Sequence, residues 1–198
     1  EVHRIEALQD KVWERQWLKE FKPKCFGQNL WVVPTAYEIP VEARTAIRLD
    51  PGLAFGTGTH ATTGLILEWL DQQVLKGKRV VDYGCGSGIL AIAALLLGAE
   101  KSVAVDIDPQ ALTAARDNAV LNGVADRLDI VMAEDFEGSE YDVVLANILA
   151  GPLIDLAGLL TTCLRSNGDL VLSGVLDSQL AQVQSAYLKD INFVGQAD

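Results

Sequence analysis

The chain of 198 residues is predicted to be an α/β protein built on a doubly wound, mostly parallel sheet. From Gly77 onward, apolar stretches of strand length alternate with stretches of helical pattern. One of them, Val143-Val-Leu-Ala, has no polar residue, as expected for a strand that is buried on both faces. The turn Gly84-Cys-Gly-Ser-Gly88 joins another such stretch to a helix, which is typical of a nucleotide-cofactor site at the carboxyl edge of the sheet.

The predicted elements follow one another in regular order. A helix from Pro109 to Asn122 has proline at its start and glycine, Gly123, just beyond its end, as helices prefer. The strands are predicted at Arg79–Tyr83, Ser102–Asp106, Leu128–Met132, Tyr141–Asn147, Asp169–Gly174 and Asn192–Gly195. The other helices are predicted at Thr63–Leu70, Gly88–Leu97, Gly151–Leu164 and Ser178–Lys189.

A different pattern precedes this alternation, and residues 1–48 are predicted to form a linker helix and an extended segment. From Ile5 to Phe21 the pattern is helical, and Trp13, Trp17 and Phe21 lie on one side, which indicates a packing face. The following proline-containing stretch is predicted to be extended, with a short strand at Leu30–Val33. Residues 49–198 are then expected to form the main domain.

Composition narrows the classes of partner. The chain has 16 Lys and Arg residues against 27 Asp and Glu residues, a net charge of −11. This charge opposes binding to nucleic-acid phosphates and suits a basic partner, although acidic proteins are also simply more soluble. The longest apolar run, Ile89 to Leu97, is far shorter than the ~20 residues that cross a bilayer. We therefore expect no membrane contact. The three cysteines of the chain have neither disulfide nor zinc spacing, so we expect a cytoplasmic protein without a metal site.

The glycine turn reads D-x-G-x-G-x-G from Asp82, with Gly84 and Gly86 as its first two glycines. This spacing differs from the G-x-G-x-x-G of dinucleotide sites and from the P-loop. Glycine is needed where backbone turns sharply or approaches a ligand closely, although such turns also occur without a ligand. Asp82 itself is either part of a binding site or a buried carboxylate that anchors the loop.

Polar residues also end the neighbouring predicted strands. Asp106 ends the second strand, where a carboxylate accepts hydrogen bonds from ribose hydroxyls or, alternatively, caps the next helix. Asp108, just before Pro109, is better placed for the capping role. Asn147 ends the fourth strand, either as a site residue or as a simple turn residue.

A loop rich in glycine and threonine runs from Asp50 to Thr63 at the start of a helix. Its backbone and hydroxyl groups could surround a ligand, or one threonine could only cap the helix. His60 lies in this loop, and we expect a structural hydrogen bond from it rather than proton transfer.

Four motifs together resemble the ribosomal protein L11 methyltransferase family, whose substrate is protein 11 of the large ribosomal subunit. They read D-P-G-L-A-F-G-T-G-T-H-x-T-T, D-Y-G-C-G-S-G-I-L-A-I-A-A, D-I-D-P-Q-A and N-I-L-A-G-P-L. The resemblance extends from about Trp13 to the end of the chain, and the middle two motifs are shared by class I S-adenosylmethionine (SAM) methyltransferases generally. It implies their Rossmann-like fold, SAM as cofactor, and methylation of the α-amine and lysine ε-amines of a basic ribosomal protein.

The resemblance also implies roles for individual residues. It implies that Asn147 orients the substrate amine and is the catalytic residue. The chain departs here from the N-P-P-Y pattern of related nitrogen methyltransferases, which favours a flexible aliphatic amine over a planar base. It further implies that Asp82 contacts the methionyl ammonium or orients the loop, and that Asp135 lies near the adenine amino group, unless it is merely solvated. The implied cofactor-binding residues are Thr63, Asp82, Gly84, Gly86, Asp106, Asp135 and Asn147.

Two departures from the family are expected. Its small N-terminal domain, which recognises the substrate, should be absent before Glu1, and residues 49–198 should be the SAM-binding catalytic domain. The last, antiparallel strand of the class I sheet should be missing after Gly195. Alternative functions are SAM-dependent methylation of another protein lysine or of rRNA, or nucleotide binding without catalysis.

Overall fold

A five-stranded parallel sheet forms the centre of the molecule, and a smaller three-stranded sheet lies beside it. The structure, a computed structural model, describes residues 22–49, 60–138 and 140–197. The predicted helix from Ile5 to Phe21 and the loop residues Asp50 to Thr59 therefore lie outside the described residues.

The strands of the described residues are β1 Lys24–Phe26, β2 Leu30–Pro34, β3 Thr45–Leu49, β4 Arg79–Tyr83, β5 Lys101–Asp106, β6 Leu128–Met132, β7 Tyr141–Asn147 and β8 Leu164–Ser173. The helices are α1 Ala61–Asp71, α2 Ile89–Leu96, α3 Pro109–Leu121, α4 Ala150–Asp155, α5 Ala157–Thr162 and α6 Asp177–Tyr187. A short 3₁₀ turn, Ala133–Asp135, follows β6.

The large sheet has the order β6-β5-β4-β7-β8, and every neighbouring pair is parallel. Successive side chains of β4 point to opposite faces of the sheet. Val80 packs with α1, α2 and α3 on one face, and Val81 and Tyr83 pack with α4, α5 and α6 on the other. Helices thus cover both faces, which confirms the predicted doubly wound α/β architecture. Because all strands run the same way, their carboxyl ends meet at one edge of the sheet.

The small sheet joins the same apolar core as α1 and α2. β2 pairs antiparallel with β1 and parallel with β3, and Phe26, Leu30 and Ile47 are buried against the helices. Two side chains fasten it to them: Asp71 at the end of α1 accepts hydrogen bonds from the turn between β1 and β2, and the Asn122 amide bonds both backbone groups of Arg48. The predicted boundary after residue 48 falls inside β3, and the domain division stays a prediction.

The structure corrects three sequence predictions. The predicted helix Gly151–Leu164 is two short helices, α4 and α5, separated at Leu156. β8 begins at Leu164, five residues before its predicted start, because Leu164 pairs with Tyr141 ahead of an irregularity in the ladder. The predicted strand Asn192–Gly195 is wrong: this segment has no regular structure, and Phe193 and Val194 are exposed instead of pairing with a strand.

Candidate functional site

The glycine turn follows β4 at the carboxyl edge of the sheet. Gly84, Gly86 and Gly88 have φ values of +76°, +53° and +75°, a region that favours glycine. The amides of Gly84 and Cys85 both donate to the Val105 carbonyl, at 2.8 and 3.0 Å, which holds the turn against β5. The predicted turn is therefore present, and its backbone conformation explains its residue type.

Packing supplies a second reason for two of these glycines. A Cβ atom at Gly84 would overlap the Cγ2 atom of Ile148, and one at Gly88 would lie 2.9 Å from the Cβ atom of Ala115. These glycines are thus required by the protein's own neighbours and are not by themselves evidence of a ligand.

Asp106 lies beside the turn at the end of β5. Its Oδ2 atom accepts a hydrogen bond of 2.9 Å from the Gly86 amide, and its Oδ1 atom accepts one of 3.0 Å from Asp108. Each carboxylate oxygen has two lone pairs, so both could accept a further hydroxyl hydrogen. Asp106 does not cap α3, because Asp108 is the N-cap and accepts from the Gln110 amide at 2.8 Å, as expected.

Asp82 is a fully buried carboxyl in β4. Its Oδ2 atom accepts a 3.2 Å hydrogen bond from the Ala91 amide of α2. Its Oδ1 atom has no hydrogen-bond partner within the described part of the chain. Burial, and next the negative charge of Asp106, raise the pKa of Asp82 to about 7, although the Ala91 bond opposes this. Asp82 therefore anchors α2 with one oxygen and leaves the other without a donor.

Asn147 and Thr63 meet at the end of β7. The Asn147 amide nitrogen donates to the Thr63 hydroxyl at 3.0 Å, and Thr63 is buried in the first turn of α1. Next to them, the Ser173 hydroxyl at the end of β8 donates to the Thr62 carbonyl at 3.1 Å. Two strand ends thus position the start of α1, and Asn147 is more than a turn residue.

The remaining predicted residues lie at the margin of this site. His60 is the N-cap of α1: its Nδ1 atom accepts from the Thr62 amide at 3.4 Å and lies 2.7 Å from the Thr62 hydroxyl. The cap is thus His60 and not a threonine, and the helix begins at Ala61. Asp135 is exposed in the 3₁₀ turn after β6.

Comparison with known proteins gives the family. The model of "Ribosomal protein L11 methyltransferase (PrmA)" matches residues 1–197. The chain belongs to this family. It is 54% identical over 192 residues to the ribosomal protein L11 methyltransferase of Aliivibrio fischeri and 53% identical over 189 residues to that of Alteromonas mediterranea. Each match covers 96% of this chain but 65% of the relative, so the chain spans just under two thirds of their length.

A solved structure supports the fold. The crystal structure of ribosomal protein L11 methylase from Lactobacillus delbrueckii subsp. bulgaricus is similar, with a TM-score of 0.74 and 36% sequence identity. The similarity covers 85% of this chain and 87% of that one. The fold is that of class I SAM methyltransferases, as the resemblance implied.

Sequence reasoning missed Ile148 and Ser173 at this candidate site. Ile148 lies over Gly84, and Ser173 holds the first turn of α1. Ser173 could have been found by the rule that selected Asp106 and Asn147, a polar residue at the carboxyl end of a strand. Ile148 could not, because nothing in an aliphatic side chain signals which glycine it covers.

Neither a metal site nor a membrane span is found in the described ranges. Residues 22–49, 60–138 and 140–197 contain no group of three or more metal-ligating His, Cys, Asp or Glu side chains. Among the same residues, no helix is both long and apolar enough to cross a bilayer.

Proposed function

We propose that this chain takes part in SAM-dependent methylation of the α-amine and lysine ε-amines of ribosomal protein L11. Family membership and the relatives' names support the reaction and the substrate. The ribosomal substrate would be basic, which suits the chain's net charge of −11. The chain itself would act in the cytoplasm. The observation that carries the proposal is the bond between Asn147 and Thr63 at the end of β7.

The described residues fit the cofactor at two points. Within the part of the chain that the structure describes, the Oδ1 atom of Asp82 is a buried acceptor without a donor, and an ammonium group would supply one, directly or through water. Asp106 would accept the hydroxyls of a ribose with the capacity left on its two oxygens. Gly84, Gly86 and Thr63 would line the same site, with Asp135 near its adenine end.

When bound, SAM supplies a methyl group on a positively charged sulfur, so the protein mainly has to position a neutral amine. A free lysine has a pKa of ~10.4, so its deprotonation at pH 7 costs about 5 kcal/mol. An apolar surrounding lowers this cost because it disfavours the charged amine. The Asn147 amide nitrogen is bonded to Thr63, which leaves the amide oxygen to accept a hydrogen of the amine. This acceptor would aim the nitrogen lone pair at the methyl carbon.

The test is Asn147→Ala. We expect kcat for labelled methyl transfer to purified ribosomal protein L11 to fall about 100-fold, as is usual for loss of one orienting group. SAM affinity, measured by calorimetry, should fall only a few-fold. The exposed Asn192→Ala is the matched control and should change neither. Equal losses of kcat and SAM affinity would remove the orienting role, and transfer to rRNA instead of the protein would overturn the proposed substrate.

A further inference from the structure

Two exposed leucines lie at the carboxyl edge of the sheet. Leu149 follows β7 and is 74% exposed, and Leu176 follows β8 and is 68% exposed. Single exposed leucines are common on protein surfaces and need no explanation. Two exposed leucines in neighbouring loops beside a polar site are less common and do need an explanation.

The two loops are in contact. Asn147 and Ser173 are register partners at the ends of β7 and β8. Just beyond them, a Cβ atom at Gly174 would lie 2.5 Å from the Ile148 carbonyl oxygen. Leu149 lies two residues after Asn147. Leu176 lies two residues after Gly174, the glycine that contacts the loop after β7.

Helix stability does not account for either leucine. Leu149 and Leu176 are the N-cap residues of α4 and α6, and neither makes a side-chain cap bond. Ser, Thr, Asp and Asn are strongly preferred at N-caps because their side-chain oxygen accepts a free backbone N–H, and leucine is among the poorest choices. In α6 Gln179 compensates in part, since its side-chain oxygen accepts from the Leu176 amide at 3.1 Å. Both positions give up local stability and present an apolar side chain to solvent.

We propose that Leu149 and Leu176, the leucine pair, bind the methylene stem of the lysine whose amine reaches Asn147. This inference rests on the proposed function. A lysine side chain carries four methylenes behind its amine, and such stems pack along apolar surface. The contact would hold the stem beside Asn147 and withdraw water from the amine, which favours its neutral form. A terminal α-amine has no such stem and would gain nothing from the pair.

The proposal predicts a difference between two kinds of amine on one substrate. Purified ribosomal protein L11 is the probe, and mass spectrometry reads methylation of its α-amine and of its lysines separately in the same reaction. In the double variant Leu149→Ala/Leu176→Ala, the lysine rate should fall about 10-fold and the α-amine rate less than 2-fold. The pair Leu149→Met/Leu176→Met, which keeps an apolar side chain of similar volume, should restore the lysine rate.

A third leucine provides the control. Leu188 is 63% exposed but lies at the opposite end of α6, so Leu188→Ala should change neither rate. Equal losses at the two kinds of amine, or no loss at either, would overturn the role of the leucine pair while leaving the proposed function intact. If the unchanged chain methylates no amine of this substrate, the proposed function fails and the inference fails with it.

Discussion

Two carboxylates near opposite edges of the large sheet, Asp142 and Asp82, differ in how their oxygens are paired. At the amino edge, both oxygens of Asp142 are paired: Oδ2 accepts from the Arg79 amide at 2.7 Å and Oδ1 from the Arg165 guanidinium at 2.9 Å. Burial would raise the pKa of Asp142, but these bonds outweigh it and hold the pKa below its usual value. Near the carboxyl edge, burial raises the pKa of Asp82, and its Oδ1 atom has no partner among the described residues.

The difference in pairing of these two carboxylates indicates which edge stabilises the fold and which edge is suited to bind a ligand. At the amino edge, Asp142 has both oxygens paired within the protein and stabilises the fold in its ionised form. Among the described residues, the carboxyl edge keeps an unsatisfied buried oxygen on Asp82, which costs stability in the absence of a donor, and two exposed leucines. An edge built in this way is the one to which we assign binding.

The largest expected effect is a loss of SAM binding on substitution of Gly84, the glycine after β4. Gly84→Ala should weaken SAM binding about 100-fold, because the added Cβ displaces Ile148 and with it the neighbouring Asn147. Gly77→Ala is the matched control at the amino end of β4: its φ of +75° is almost the same, but its Cβ would meet open space. Backbone strain should cost each variant about 1 kcal/mol of stability, and Gly84→Ala should lose more because its Cβ overlaps Ile148. Calorimetry with SAM and thermal unfolding measure the two effects, and similar binding losses in both variants would contradict the role of Ile148.

The two aspartates should give pH profiles of opposite sign. Because the folded pKa of Asp82 is about 7 and its ordinary value is 3.8, the folded chain keeps a proton there that the unfolded chain has released. The free energy of unfolding should therefore fall as pH rises through this window, with a slope on the order of 1 kcal/mol per pH unit. Asp82→Asn should remove that slope in urea unfolding curves.

Asp142 should show the reverse. Its lowered pKa stabilises the fold above its ordinary value, and this contribution is lost as pH falls through the folded pKa. Asp142→Asn should therefore cost about 2 kcal/mol at pH 7 and progressively less in acid. Parallel profiles for the two variants would refute the contrast between the edges.

A smaller effect is expected at Thr63. Thr63→Val keeps the shape but removes the oxygen that accepts from Asn147, so the Asn147 amide can rotate. We expect kcat to fall about 10-fold with little change in SAM affinity. Thr63→Ser, which restores the hydroxyl, should stay within about 2-fold of the unchanged chain. If the serine variant is as slow as the valine variant, Thr63 acts through packing and does not position Asn147.

The smallest effect is expected at Asp135. Because this side chain is exposed, Asp135→Ala should weaken SAM binding only about 2-fold. The control at the amino edge is Glu140→Ala, which removes an exposed carboxylate near Arg165 and should leave affinity unchanged. If Glu140→Ala weakens SAM binding as much as Asp135→Ala, the effect comes from the change in net charge and not from a contact of Asp135 with the cofactor.

The parallel core was predictable because its signals are local. Apolar runs marked β4, β6 and β7 at their observed bounds, and Asp108 before Pro109 marked the start of α3. The small sheet was only partly predictable: β2 was expected, whereas β1 and β3 were not. β1 has three residues, and β3 depends on pairing with β2 and on the Asn122 amide, 74 residues from Arg48 along the chain.

The sequence by itself determined the α/β class, the family and the residues at the strand ends, because residue type, spacing and motif order carry that information. Tertiary structure alone decided how those residues meet: that Thr63 accepts from Asn147 across 84 positions, and that Ile148 covers Gly84. It also decided that one oxygen of Asp82 has no hydrogen-bond partner among the described residues. The physical reason is that hydrogen bonds and burial depend on distances between segments far apart in the chain, which become defined only when the sheet and its helices pack.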